Sequence, residues 1–140
     1  MLKPFLFITA VMIVAITVLF TPATISQSAA PAPAAGQTNP ITKPTEKSQA
    51  RAKEIYSVDC ALCHGDNGNG KTDLARDMQL KLDDWSDPAA LANKADGALF
   101  NTIRNGSDKM PPEAEGRAKN DEVWNLILYI RGLSKPQPAK

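Results

Sequence analysis

The pentapeptide Cys60-Ala61-Leu62-Cys63-His64 constrains this chain more than any other stretch. On a turn of helix, residues three apart share a face, so the two sulfurs point the same way and the next side chain projects beside them. That is the attachment pattern for a c-type haem. In that pattern the two thiols can bond the vinyl-derived carbons of one porphyrin, and a neutral imidazole nitrogen of His64 can bind the iron from the proximal side. Cys60 and Cys63 are the only cysteines, so no disulfide framework remains if both carry the cofactor. His64 is the only histidine, which excludes two imidazoles on one iron within a subunit. A second axial ligand is therefore another residue type, or is absent. A redox dithiol would need a βαβ context that the sequence lacks. A zinc site would need a fourth Cys or His, and adjacent Cys63 and His64 would strain its geometry.

The chain divides by composition. Phe5 to Phe20 is an apolar run with only threonines as polar members, and Lys3 flanks it. Its length lies between the ~7–15 residues of a secretory signal and the ~17–25 of a spanning helix, so residues 1–22 read as a signal peptide or a transmembrane anchor. Both place the remainder outside the cytoplasm, periplasmic or anchored facing it. Residues 23–44 are rich in Pro, Ala, Ser, Thr and Gln and carry no charge before Lys43, which predicts a flexible linker. The domain spans 45–134, and 135–140 form a disordered tail. There are 16 basic and 15 acidic residues, and with Lys3 set aside the balance is even. Such a balance argues against nucleic acid as a partner and for weak salt dependence of protein docking.

Within the domain the patterns are helical, with no convincing alternation and no repeats. Thr45 caps a helix over about 46–58, with Ala52, Ile55 and Tyr56 on one face. Gly65-Asp66-Asn67-Gly68-Asn69-Gly70 is a flexible loop, and its glycines stand where a calcium loop needs oxygen ligands. Short helices are expected over 73–82 and from Asp87-Pro88 to about Lys94. Another runs from Asp96 through Ile103 to Asn105-Gly106. A loop over 107–119 holds Met110-Pro111-Pro112. Asn120 caps the last helix, which Gly132 ends. The expected fold is all-α with long loops. About 90 residues of this kind are marginal unless a large apolar group sits at their centre.

Four features in order, from Glu46 to Ser134, resemble class I cytochrome c. They are the first helix with Ala52 and Tyr56, the complete Cys-x-x-Cys-His motif, a Met-Pro downstream, and a terminal helix with Trp124 and Tyr129. Ala52 stands where that family's helix crossing usually has Gly. Lys71-Thr72-Asp73-Leu74 lacks the proline whose carbonyl usually holds the proximal imidazole, so another carbonyl of this loop is expected to do so. The resemblance implies one covalently bound haem c wrapped by short helices and loops. It implies Cys60 and Cys63 as thioethers, and His64 and Met110 as axial ligands. Met78 is the rival for the distal site and reads better as a core residue, and an open site is the remaining alternative. Trp85 reads either as a donor to a haem propionate or as an ordinary aromatic with a wet tip. Arg76, Lys81 and Arg104 are further propionate candidates. Asp83, Asp84, Asp87, Lys109, Glu113, Glu115 and Arg117 read as surface charge.

By this resemblance the expected function is one-electron transfer by an Fe(III)/Fe(II) haem between redox partners, a reductase or dehydrogenase as donor and an oxidase or similar acceptor. The protein itself is expected to be a carrier and no enzyme. The alternative is an electron-transfer subunit of one membrane-bound dehydrogenase or oxidase complex. A haem enzyme or gas sensor with a dissociable Met110 is a third reading, from a different class.

Overall fold

The computed structural model describes residues 33–135, and these form five helices with irregular connections. The expected signal or anchor at 1–22 and the last residues of the tail lie outside them. No strand occurs among the described residues, only one isolated bridge between Ser107 and Met110. Nor is any of their helices long and apolar enough to cross a membrane.

Helix α1 (Glu46–Ile55) begins as its sequence demands. Thr45 Oγ1 accepts from Ser48 N at 3.1 Å and Ser48 Oγ accepts from Thr45 N at 3.0 Å, a reciprocal cap that satisfies two orphan donors. The helix does not run on regularly. Tyr56–Cys60 is a π turn, in which Ala61 N donates to Tyr56 O five residues back. A π turn carries an extra residue, so everything after it is rotated relative to α1. The four-residue α2 (Ala61–His64) follows and stops at Gly65, φ 80°.

Helix α3 (Asp73–Asp77) is shorter than expected and is capped by Thr72, whose Oγ1 accepts from Ala75 N. The stretch after Asp87-Pro88 is no helix. Its bonds run three residues back (Ala90 N to Asp87 O, Ala92 N to Ala89 O, Lys94 N to Leu91 O), a chain of turns. Asp87 Oδ1 caps the first of them, accepting from Ala89 N, but nothing propagates the next turn.

Helix α4 (Asp96–Asn105) ends at Gly106, φ 73°, as the sequence predicts. Helix α5 (Asn120–Gly132) starts one residue earlier than expected, because Glu122 Oε2 caps the Lys119 N–H at 2.7 Å. Asn120 is thereby freed, and its Oδ1 accepts from Arg104 Nε and a terminal guanidinium nitrogen at 3.1 and 3.0 Å.

The core lies where α5 meets α1 and α4. Ala52, Ile55 and Tyr56 face Val123, Leu126, Ile127 and Ile130, with Phe100 and Ile103 from α4. Each large apolar side chain taken fully from water contributes about 1.5–3 kcal/mol. Polar pairs fix the register: Gln49 Nε2 donates to Asn125 O at 3.2 Å, and Arg51 Nε meets Glu122 Oε1 at 2.8 Å. Tyr129 packs on Tyr56, and Trp124 on Phe100, with ring centroids 5.3 and 4.5 Å apart.

The segment expected to be a free linker is partly docked. Asn101 Nδ2 donates to Pro33 O, Gly97 N to Gln37 O and Asn39 Nδ2 to Trp124 O, while Ile41 packs on the core. The reason is Gly97. A Cβ there would stand 2.1 Å from Ala34 O, so a bare helix surface lets the backbone lie against α4. Composition alone reports the weak hydrophobicity of 33–44 and misses this slot.

Candidate functional site

The site is built around the corner that α2 makes with the glycine loop. Gly65 N donates to Ala61 O and Gly70 N donates to His64 O, both at 2.8 Å, so the loop folds back on the helix end. Tyr56 Oη donates to Gly65 O at 2.6 Å from a fully buried position. Burial raises the Tyr56 phenol well above its ordinary range, so it stays a neutral donor. Thr72 Oγ1 donates to Cys63 O. One side of the corner therefore has its backbone accounted for.

Cys60 and Cys63 are free thiols, both half-buried. Burial, with a smaller push from Asp59, drives the Cys60 thiol up to about 12. That is an apolar environment suited to a neutral sulfur, thiol or thioether. Burial lowers the pKa of His64 against a smaller opposing effect of Asp83, which keeps the imidazole neutral and able to bind a metal. Its Nδ1 is buried without a hydrogen-bond partner. The carbonyl expected to hold this ring is not found among the described residues. Instead, His64 stacks on Trp85 with centroids 4.1 Å apart and planes 14° from parallel.

Met110 arrives from a separate turn. Ser107 N donates to Met110 O at 3.0 Å and Met110 N to Ser107 O at 2.8 Å, with Asp108 at φ 49°. A Cβ on Gly106 would lie 2.5 Å from Met110 O, so glycine is what lets the turn close against the end of α4. Met110 packs at the margin of the same apolar core that Cys60 and Trp85 border. The donor set fits a haem c, with two half-buried cysteine sulfurs, Cys60 in apolar surroundings, a neutral imidazole with an orphaned nitrogen, and a thioether at the edge of the core that Cys60 borders.

Several other expectations change. Met78 is 38% exposed at the end of α3, so it is no core residue. Its carbonyl accepts from Lys109 Nζ at 2.8 Å, which ties the Met110 turn to α3. Arg104 is committed inside the protein, to Asn120 Oδ1, Glu113 O and Ala118 O, and is no free anion ligand. Arg76 pairs with Asp73 on the surface. Glu113, taken as surface charge, is only 7% exposed. Its pKa is raised by burial first and Asp59 second, against the pull of Arg117 at 3.2 Å. No local pattern marks Glu113 as buried, because the two prolines before it turn it inward and its N–H then bonds Ile103 O. Trp85 makes no hydrogen bond through its ring, and its contact with His64 joins residues that nothing in the sequence pairs.

Comparison with known proteins agrees with this geometry. Residues 47–130 match the family model described as cytochrome C oxidase, cbb3-type, subunit III. A cbb3-type cytochrome c oxidase subunit FixP of Bradyrhizobium diazoefficiens is 27% identical over 92 residues, covering 64% of this chain and 30% of that protein. A FixP subunit from another Bradyrhizobium is 26% identical over 84 residues, covering 60% of this chain and 27% of its own. The chain thus spans under a third of the length of these curated relatives. The expectation of a carrier apart from any enzyme is overturned, because the family and both relatives are named as subunits of an oxidase, an enzyme complex. The match runs from α1 through α5 and encloses every residue of the site, with the haem chemistry and electron transport that a c-type cytochrome domain carries. This chain belongs to the family of cbb3-type cytochrome c oxidase subunit III.

Proposed function

We propose that the chain holds a single haem c through thioethers at Cys60 Sγ and Cys63 Sγ, with His64 as proximal and Met110 as distal axial ligand. In this reading it is the electron-transfer subunit, or part of one, of a membrane-bound oxidase of the cbb3 type. The observation that carries the reading is the family match over 47–130, which encloses all four residues, with Cys60 and Met110 packed against one helical core. Haem c, when bound, supplies a one-electron Fe(III)/Fe(II) couple, and a methionine ligand in an apolar setting raises its potential. The chain's own residues do the rest. Burial keeps His64 neutral for ligation, the π turn and α2 carry the two cysteines, and the Gly106 turn carries Met110. Val58 and Leu62, 72% and 69% exposed beside the motif, give an apolar surface for a small, transient contact with a redox partner. Residues 1–22 would export the domain or anchor it at the membrane. The stand-alone carrier gives way here to the subunit, which is the role named for the relatives.

Three measurements on the full chain test this. Denaturing mass spectrometry should find one haem added to the polypeptide. The ferric spectrum should show a weak band near ~695 nm that Met110→Ala removes. A band that survives the substitution rejects Met110 as ligand. Purification from membranes without any oxidase subunit would reject the assembly and restore the free carrier.

A further inference from the structure

We propose that the indole of Trp85, in place of a backbone carbonyl, sets the plane of the His64 imidazole. The inference rests on the reading of His64 as proximal ligand. Three observations carry it. His64 Nδ1 is buried and bonds nothing, so no hydrogen bond fixes the ring. The indole of Trp85 stacks on it, with planes nearly parallel and centroids 4.1 Å apart. Trp85 is itself held by backbone built for the purpose: its N–H donates to Gly68 O at 2.8 Å. A Cβ on Gly68, φ 78°, would stand 3.0 Å from Trp85 Cβ and 2.9 Å from Leu133 Cδ1. A Cβ on Gly70, φ 67°, would stand 2.8 Å from Leu82 Cβ. Gly68 and Gly70, two of the three glycines of the loop after the motif, therefore admit the segment of chain that carries the indole. Lys71 Nζ, paired with Asp84 Oδ2 at 3.2 Å, pins the same segment from outside.

A metal-bound imidazole normally has its second nitrogen held by an acceptor, which fixes rotation about the metal–nitrogen bond. A ring stacked face to face on a seated indole is fixed in the same degree of freedom, because rotation would drive its edge into the indole face. Trp85 is thus a positioning residue. It needs no propionate partner to explain its place.

The test compares Trp85→Phe, which keeps an aromatic face, with Trp85→Leu, which keeps apolar volume without one. In the ferric full-length protein, the spread and order of the four haem-methyl proton resonances report the orientation of the axial imidazole. Trp85→Leu should reorder or compress them while the bound haem mass and far-ultraviolet dichroism stay as in the parent, and Trp85→Phe should keep the parental order. A parental pattern in Trp85→Leu overturns the proposal, as does a Phe variant displaced as far as the Leu variant. A parent that carries no haem mass would sink the proposed function instead. The stack is then read directly from the ring protons of the single histidine, displaced upfield in the parent and returned to ordinary positions in Trp85→Leu. Equal positions in both would overturn the stacking as well.

Discussion

His64 and Met110 are held in place by opposite means. The His64 side is continuous chain: α1, the π turn, α2 and the glycine loop follow one another, and backbone bonds from Gly65 and Gly70 with the Tyr56 hydroxyl close them. The Met110 side is a four-residue turn bonded chiefly to itself, attached through the Gly106 backbone, the Glu113 N–H on Ile103 O and the Lys109 ammonium on Met78 O. The first is a rigid corner and the second a tethered turn. Local opening has a lower free energy where fewer buried contacts must break, so the Met110 turn is expected to open before the His64 corner.

The largest effect that would break this comparison is removal of the anchor. Cys60→Ala with Cys63→Ala should abolish covalent haem entirely, read as a polypeptide of unmodified mass, and any retained adduct would contradict the thioether assignment. Next in size is Gly106→Val. A β-branched residue at φ 73°, with its Cβ 2.5 Å from Met110 O, must displace the turn at a cost of about 2 kcal/mol or more. The ~695 nm band should vanish while the haem mass remains. Loss of both together would show that the two sides are not separable.

Tyr56→Phe sharpens the proximal half. It removes one of the two bonds that the Gly65 carbonyl accepts, leaving that from Gly68 N, and should cost about 1 kcal/mol in urea unfolding, with the ~695 nm band unchanged. The pH dependence has a definite sign. The folded phenol is raised above the ordinary 10.0, so above that value the unfolded chain loses a proton that the folded one keeps. Stability therefore falls as pH rises past about 10, and Tyr56→Phe should flatten that alkaline limb.

The smallest effect is a control remote from both sides. Arg51 holds Glu122 below the usual carboxylate range, so this stabilisation is present above the unfolded value and is lost as pH falls through the folded one. Glu122→Gln should flatten the acid limb of the stability curve and move neither the band nor the haem mass. A shift of the band would mean that the α1–α5 crossing is coupled to the distal turn.

What could be read without coordinates was whatever short-range chemistry dictates. The Cys60–His64 spacing, the Thr45 cap, the Gly106 stop and the apolar stripe of α5 each depend on neighbours within a turn or two, and each appears where the sequence puts it. The roles of Cys60, Cys63, His64 and Met110 were likewise a reading of motif and resemblance, and they stand as proposals.

Tertiary structure decided the rest. Only packing turns the end of α1 into a π turn, buries Glu113, exposes Met78, and seats residues 33–41 in the slot that Gly97 leaves. It also decided what faces His64. A carbonyl was expected from the loop, and an indole from 21 positions away stands there instead. The physical reason is common to these cases. A contact between residues far apart in the chain is set by which surfaces approach closely enough, and glycines with no Cβ to intervene are what permit that approach.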